Sequence, residues 1–552
     1  MLKTKAKTAR FLNRLSNLKH VQKHIDEDPG SDEEPEWLKE IHKLPDTPLD
    51  SPDNNILFTD RHFPINKALG YDDPKVKWLR PHEICSDPKF FSGGLEKASQ
   101  FDVVQGELGD CWFLSAVAVV SMRPELLDKV VENLTEQSFD KNHEDPDRRY
   151  TGQFNFAFYQ YGKWVGVTVD DRLPTKRGKL IFTRSADKTE FWSALLEKAY
   201  AKLNGSYNNL KGGLATEAMV DLTGGIVEYF EFKNFKPSRK HYRNIKHGFE
   251  NGALMSCAIQ AFSQSDMEAQ RSDGLMIGHA YSITSCQRIK NINTSERYRL
   301  LRLRNPWGEI EFNGRFSDLD NENWSQMNKD LRDDDDDNGE FWIEFKDWAE
   351  VFTKLEFCRI DMTSDDAKIN NIQGKYVEKE FASAWREENA GGCSFLGQQN
   401  FFNNPFIVVE LDGGEESDQM LISLSQKHRR KLKSEGKSML QIGFDIYKLV
   451  KSYGEVLSEE QITIIERSDN RNYSSNGRNL LENMIDLYKP VYRAEYTKRR
   501  DYVKTINNLS GGKYVIIPHT YHPGLQSKFY MRVFIEKSKN DEEDEDENWD
   551  YV

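Results

Sequence analysis

Cysteine is scarce in this chain. Six occur in 552 residues (Cys85, Cys111, Cys257, Cys286, Cys358, Cys393), widely scattered and with no Cys-x-x-Cys spacing. That excludes a disulfide framework and a zinc ribbon, and it fits a reducing, cytoplasmic compartment. Long apolar runs are also missing: none approaches the roughly 18 residues a membrane-spanning helix needs. Nor is there an excess of positive charge. Lys and Arg number 76 against 90 Asp and Glu, a formal net charge of −14. This argues against a nucleic-acid binder, since phosphate neutralisation needs a basic face. No stretch completes an EF-hand calcium loop. Asp334-x-Asp336-x-Asn338-Gly339 fits the first half, but the twelfth position is Phe345, with Glu344 one place out of register.

What is present is ample for packed cores: 38% hydrophobic and 12% aromatic residues. The length predicts three or four domains. Residues 1–53 comprise a basic segment, in which Leu12, Leu15, Leu18 and Val21 can share a helical face, and an acidic, Pro-rich linker. Such a helix suits an anionic membrane surface, organelle import or a removable pro-segment, and a solvated terminus is the plainer alternative. Alternation over 153–158 and 163–169 predicts a hairpin closed at Tyr161-Gly162, and a helix over 190–203 should stop at Asn204-Gly205. Beyond Phe357, short strands with turn signals predict a β-sandwich, including 406–411, 441–447, 513–517 and 529–535. Residues 539–552 form an acidic tail without apolar periodicity.

One stretch organises the rest: Gln105-Gly106-Glu107-Leu108-Gly109-Asp110-Cys111-Trp112-Phe113-Leu114-Ser115. Apolar residues at 113, 114, 117 and 120 have helical spacing, Asp110 is a good N-cap, and Pro124 marks the far end. Cys111 therefore falls in the first turn of a buried helix, where the dipole and unpaired N–H groups favour a thiolate. Gln105 can reach back as an oxyanion donor. His279 lies in the strand-like apolar run Leu275–Ile283. Asn305 follows the strand Tyr298–Leu303 and leads into Pro306-Trp307-Gly308. Cysteine, histidine, then asparagine is the order of papain-type proteases.

Together with Gly278-His279-Ala280-Tyr281 and Arg304-Asn305-Pro306-Trp307-Gly308-Glu309, this block resembles the catalytic core of the calpains, calcium-dependent intracellular cysteine proteases. Phe191–Tyr200 and Asp221–Gly225 resemble the family too, and the likeness runs from about Ile56 to Lys537. It implies an α+β chain: a two-lobed papain-like cysteine protease core, with lobe 1 over 54–212 and lobe 2 over 213–356. A C2-like antiparallel β-sandwich would follow over 357–538. A Gly-rich hinge at 205–213 would separate Cys111 from His279 and Asn305, and Trp307 would be the wedge between lobes in the inactive state.

The resemblance also implies calcium as cofactor. Lobe 1 would bind it through Asp102, Glu190 and carbonyls near Leu95 and Lys97. Lobe 2 would use Glu311, Asp318, Asp336, Asn338 and Glu340. Two departures stand out: Asn338 replaces an aspartate, and Gln100 replaces an arginine that joins the two sites through the acid at Glu340. Protein substrates are the implied partners, with a phospholipid surface a further one. Nucleic acid and an EF-hand-mediated small subunit are not expected. A catalytically silent adaptor is the alternative reading. A transglutaminase-like acyltransferase is disfavoured because Asn305 stands where aspartate would orient the histidine.

Overall fold

The computed structural model describes residues 57–536 apart from 133–136, 146–147, 233–235, 333–337, 361–375, 397, 412–417, 428, 450–484 and 486–488. The basic N-terminal segment, Asp336 and the acidic tail thus lie outside the described residues. The described residues fall into two compact units, 57–360 together with 429–438, and 376–427 together with 439–536.

The first unit is built around helix α1, Cys111–Ser121. Every residue of α1 after Cys111 is buried, so the helix is core on all sides rather than amphipathic, and only its first residue opens to solvent. Helix α2, Pro124–Val130, takes Pro124 at its first position. There a missing N–H costs nothing, so the proline starts the next helix as well as limiting α1. Strands β1 (Gln153–Gln160) and β2 (Lys163–Asp170) pair antiparallel in the expected register. Tyr161 and Gly162 turn between them with φ of 48° and 95°, the two left-handed residues of a type I′ hairpin. Helix α3, Trp192–Leu203, is wholly buried and ends before Gly205. Its Tyr200 ring stacks on Phe113 of α1 with centroids 4.2 Å apart.

Helix α4 (Ala215–Thr223), strand β3 (Ile226–Glu231), helix α5 (Arg239–Glu250) and strand β4 (Leu254–Ala258) follow. Strands β5 (Ala280–Lys290), β6 (Arg297–Arg304) and β7 (Glu340–Glu344), helix α6 (Phe345–Val351) and strand β8 (Lys354–Arg359) complete the unit. The six strands make one antiparallel sheet in the order β7-β6-β5-β4-β8-β3. A boundary at 356/357 would cut β8, which is hydrogen-bonded to β3 and β4 on either side. The second lobe therefore extends to residue 359. Helix α1 lies against this sheet, since Ser282 Oγ donates to the Ser115 carbonyl at 2.9 Å.

The second unit is all antiparallel. Strands β9 (Tyr376–Trp385), β10 (Ile407–Leu411), β11 (Asp418–Gln426), β12 (Ile442–Lys448), β13 (Asp501–Leu509), β14 (Gly512–Thr520) and β15 (Ser527–Glu536) form two sheets. Their orders are β9-β15-β11-β13 and β10-β14-β12. Residues of both sheets, among them Ile422, Phe444, Ile516 and Met531, share one core. The chain is α+β, as the resemblance implied, and its four expected sandwich strands are all present.

Candidate active site

His279 and Asn305 meet in the first unit, and the N–H of Ala280, next to His279, faces the Cys111 sulfur. The loop before α1 is held by its backbone. Glu107 N donates to the Ile181 carbonyl at 2.7 Å, and Gln105 N to the Pro306 carbonyl at 2.9 Å. Gly106 has a steric reason: a Cβ there would stand 2.4 Å from the carbonyl oxygens of Ile181 and Phe182. The second bond ties the Gln105 loop to the turn that follows Asn305.

His279 lies just before β5, so the apolar run Leu275–Ile283 is strand only from Ala280 onward. Gly278, with φ of 73°, makes the turn that delivers the histidine. Asn305 is fully buried at the end of β6. Its Nδ2 donates to the Glu309 and Ile310 carbonyls at 2.9 and 3.0 Å. Those two bonds fix which end of the amide is oxygen, and that oxygen lies 2.8 Å from His279 Nε2. An amide oxygen only accepts, so Nε2 carries the proton and Nδ1 is the basic nitrogen. Nδ1 has no partner among the described residues. Trp307 N also donates to Asn305 Oδ1, at 3.0 Å, and the Trp307 ring lies 4.9 Å from the imidazole. Trp307 is half-buried against the core of the second lobe.

Burial disfavours the charged form of both Cys111 and His279 in this conformation. Burial first, and then the nearby Asp110 and Glu268 charges, push the Cys111 thiol up to about 12, against the Ala280 N–H that faces the sulfur. Burial pulls His279 down to about 4, with Asn305 opposing. A helix dipole is worth a fraction of a kcal/mol to about 2 kcal/mol, and burial outweighs it here. Asp110 caps α1 with its backbone carbonyl, not its side chain. Gln105 Nε2 donates to the Leu108 carbonyl at 2.6 Å, which leaves its second N–H for another acceptor.

The candidate calcium ligands fall into two groups. Asp102 and Glu190 are hydrogen-bonded to each other. Ser92 N donates to Glu190 at 2.6 Å and Ser99 N to Asp102 at 2.8 Å. Leu95 and Lys97 bound a short 3-10 turn after Gly93 and Gly94. Two carboxyl groups that close, with backbone carbonyls at hand, suit a hard cation. In the second group, Glu311 accepts from Gly339 N and Asn338 Oδ1 from Glu340 N, each at 2.8 Å. The Asp318 carbonyl accepts from Arg332 at 3.0 Å. Glu340 is taken up by Arg302 at 2.6 Å and by Gln100, so its charge is spent on side chains. Among the described residues no cluster of three or more His, Cys, Asp or Glu is gathered for a metal. Sequence reasoning missed Arg302 and the Ala280 N–H: one depends on sheet register, the other is a backbone donor that every residue but proline has.

Residues 58–359 match the calpain family cysteine protease domain, and residues 381–534 match domain III of the calpain large subunit. The chain is 37% identical over 504 residues to the chicken (Gallus gallus) calpain-2 catalytic subunit, covering 88% of this chain and 66% of the relative. It is 37% identical to the human protein of that name over 521 residues, covering 89% and 67%. Rat (Rattus norvegicus) calpain-9 is 38% identical over 516 residues, covering 90% and 67%. The chain thus spans about two thirds of the length of these relatives. With the matched protease domain over more than half its length, this chain belongs to the calpain family.

Proposed function

We propose that the chain is a calcium-dependent intracellular cysteine endopeptidase that makes limited cuts in protein substrates. The observation that carries this is the His279–Asn305 bond of 2.8 Å, which sets the tautomer and leaves Nδ1 as the basic nitrogen. Once desolvation is relieved and the lobes close, Nδ1 takes the Cys111 proton. The thiolate attacks the scissile carbonyl, and the carbonyl oxygen turns to the Cys111 N–H and the free N–H of Gln105. His279 then gives its proton to the leaving amine, while Asn305 holds the ring in plane. Water, deprotonated by His279, attacks the thioester and releases the acid product.

Calcium, held by Asp102, Glu190 and the carbonyls near Leu95 and Lys97, would supply the positive charge that lets both buried carboxylates ionise side by side. The neutral Cys111 and His279 of the present conformation are what a calcium-gated enzyme needs before activation. They are also what the alternative reading, a catalytically silent adaptor, needs permanently. Cleavage of a casein-type reporter by the purified chain, titrated with calcium against chelator and run beside Cys111→Ser, separates the two. Calcium-dependent cleavage that the mutant loses supports the protease. A folded chain that never cleaves supports the adaptor.

A further inference from the structure

Directly behind the nucleophile lies a buried acid pair that the mechanism above does not use. Asp110, immediately before Cys111, is completely buried, and no donor reaches either of its carboxylate oxygens among the described residues. Glu197, in the middle of α3, is 1% exposed. The two side chains are hydrogen-bonded to each other. Carboxylates only accept, so such a bond exists only if one of the two carries a proton. Thr183 donates to Glu197 through its hydroxyl at 2.7 Å and its N–H at 3.2 Å, which places the proton on the other partner for much of the time. Among the described residues no cation acts on the pair. The charged and titratable groups around it are the Cys111 thiol on α1 and the buried Tyr207 hydroxyl, itself without a partner, with Asp170 acting on Tyr207 from beyond.

We propose that Asp110 and Glu197 share one proton at neutral pH, and that Glu197 acts through Asp110 as a positioning residue for Cys111. The bond ties the turn that carries the nucleophile to α3, and its single proton limits the negative charge beside the sulfur to one. Burial raises both acids, Glu197 to about 7 and Asp110 well above the usual carboxylate range. Loss of the shared proton on the alkaline side puts a second charge next to a thiol that must itself become negative. The pair then sets an upper pH limit on thiolate formation. The inference rests on Cys111 being the nucleophile, and not on any protein being cut.

Glu197→Gln and Asp110→Asn test it, because each amide supplies the N–H that the proton now supplies. The full calcium-free chain and both variants are compared by thermal unfolding from pH 5.5 to 9, and by the rate at which iodoacetamide alkylates the Cys111 peptide. A group with a raised folded-state value contributes stability that is lost as pH rises through that value. The native chain should therefore fall in Tm relative to both variants as pH passes about 7. Alkylation at pH 9 should be about threefold faster in Glu197→Gln, the thiolate gained from half a pH unit. Parallel Tm curves overturn the shared proton, and so does failure of both amide variants to fold. A Tm inflection with unchanged alkylation leaves the pair structural and overturns its role at Cys111. Normal behaviour in both readouts from a chain that cuts no protein would sink the protease reading and leave the pair standing.

Discussion

Gln100 and Glu340 lie 240 positions apart in the chain and touch: Gln100 Nε2 stands 3.3 Å from both oxygens of the Glu340 carboxylate. Both distances are long for a charge-assisted bond. The strong partner of Glu340 is Arg302, at 2.6 Å within the same sheet. The two lobes are therefore joined here by a neutral, bifurcated contact rather than by an ion pair. The family resemblance leads to the expectation of an arginine at position 100.

From that follows a prediction on cooperativity. Gln100→Arg places a second cation on Glu340 and converts the contact into a charged link between the lobes. Calcium activation of the variant should be steeper, with a higher Hill coefficient and a lower half-activating concentration than the native chain. Gln100→Ala should cost no more than about 1 kcal/mol of stability and leave the activation curve as shallow as before. Equal Hill coefficients in all three would show that the link carries no coupling.

Asn305 does two jobs at once, and its removal should show both. Asn305→Ala frees the imidazole and strands the Glu309 and Ile310 carbonyls, which now accept from Nδ2. Peptidase activity should drop on the order of 100-fold, the range of a misplaced general base. Stability should fall by about 1–3 kcal/mol, the cost of buried polar groups left unpaired. Denaturant unfolding beside reporter cleavage checks the two effects separately. Lost activity with unchanged stability would mean that the Glu309–Ile310 turn is held by other groups.

How much of this was legible beforehand depends on whether a signal is local. The β1–β2 hairpin could be placed because Tyr161-Gly162 must take left-handed conformations, and it does. Cys111, His279 and Asn305 could be singled out because glycine and proline punctuate the chain beside each. Strands β9, β11 and β13 were not singled out from the sequence, although β11 carries an alternating apolar face of Met420, Ile422 and Leu424. The Arg302–Glu340 pair depends on the register of β6 against β7, a pairing that no short window of sequence records. The upward shift of the Cys111 thiol was not legible for a related reason. The dipole at a helix start is a local property, whereas the burial that holds Cys111 as a thiol comes from residues far along the chain.

Acid stability gives a test of the neutral histidine. Burial lowers His279 from 6.5 to about 4, so between those values the unfolded chain binds a proton that the folded chain refuses. Stability is then present above pH 6.5 and is lost as pH falls toward 4, by on the order of 3 kcal/mol for this group. His279→Gln, which keeps a donor for Asn305, should remove that part of the acid slope. Thermal unfolding of the calcium-free chain from pH 7 to 4.5 reads it. An unchanged slope would mean that the imidazole is already solvated in the resting protein.

The Asp102–Glu190 pair yields the last prediction, on calcium itself. Both side chains are largely withdrawn from water and hydrogen-bonded to each other, and Ser92, Ser99 and Ser185 donate to them. Without a cation the two acids would repel if both ionised, so the bond between them requires that one keep its proton. Glu190→Gln removes one charge and keeps an acceptor for one of its two donors, Ser92 N–H or the Ser185 hydroxyl. The variant should be more stable than the native chain in chelator and should gain little on adding calcium. The native chain should gain about 2.7 kcal/mol when calcium reaches a hundred times its dissociation constant. Thermal shift in chelator and across a calcium series measures both. Equal calcium-induced shifts in native chain and variant would remove Glu190 from the ligand set, and a native chain indifferent to calcium would remove the whole first-lobe site.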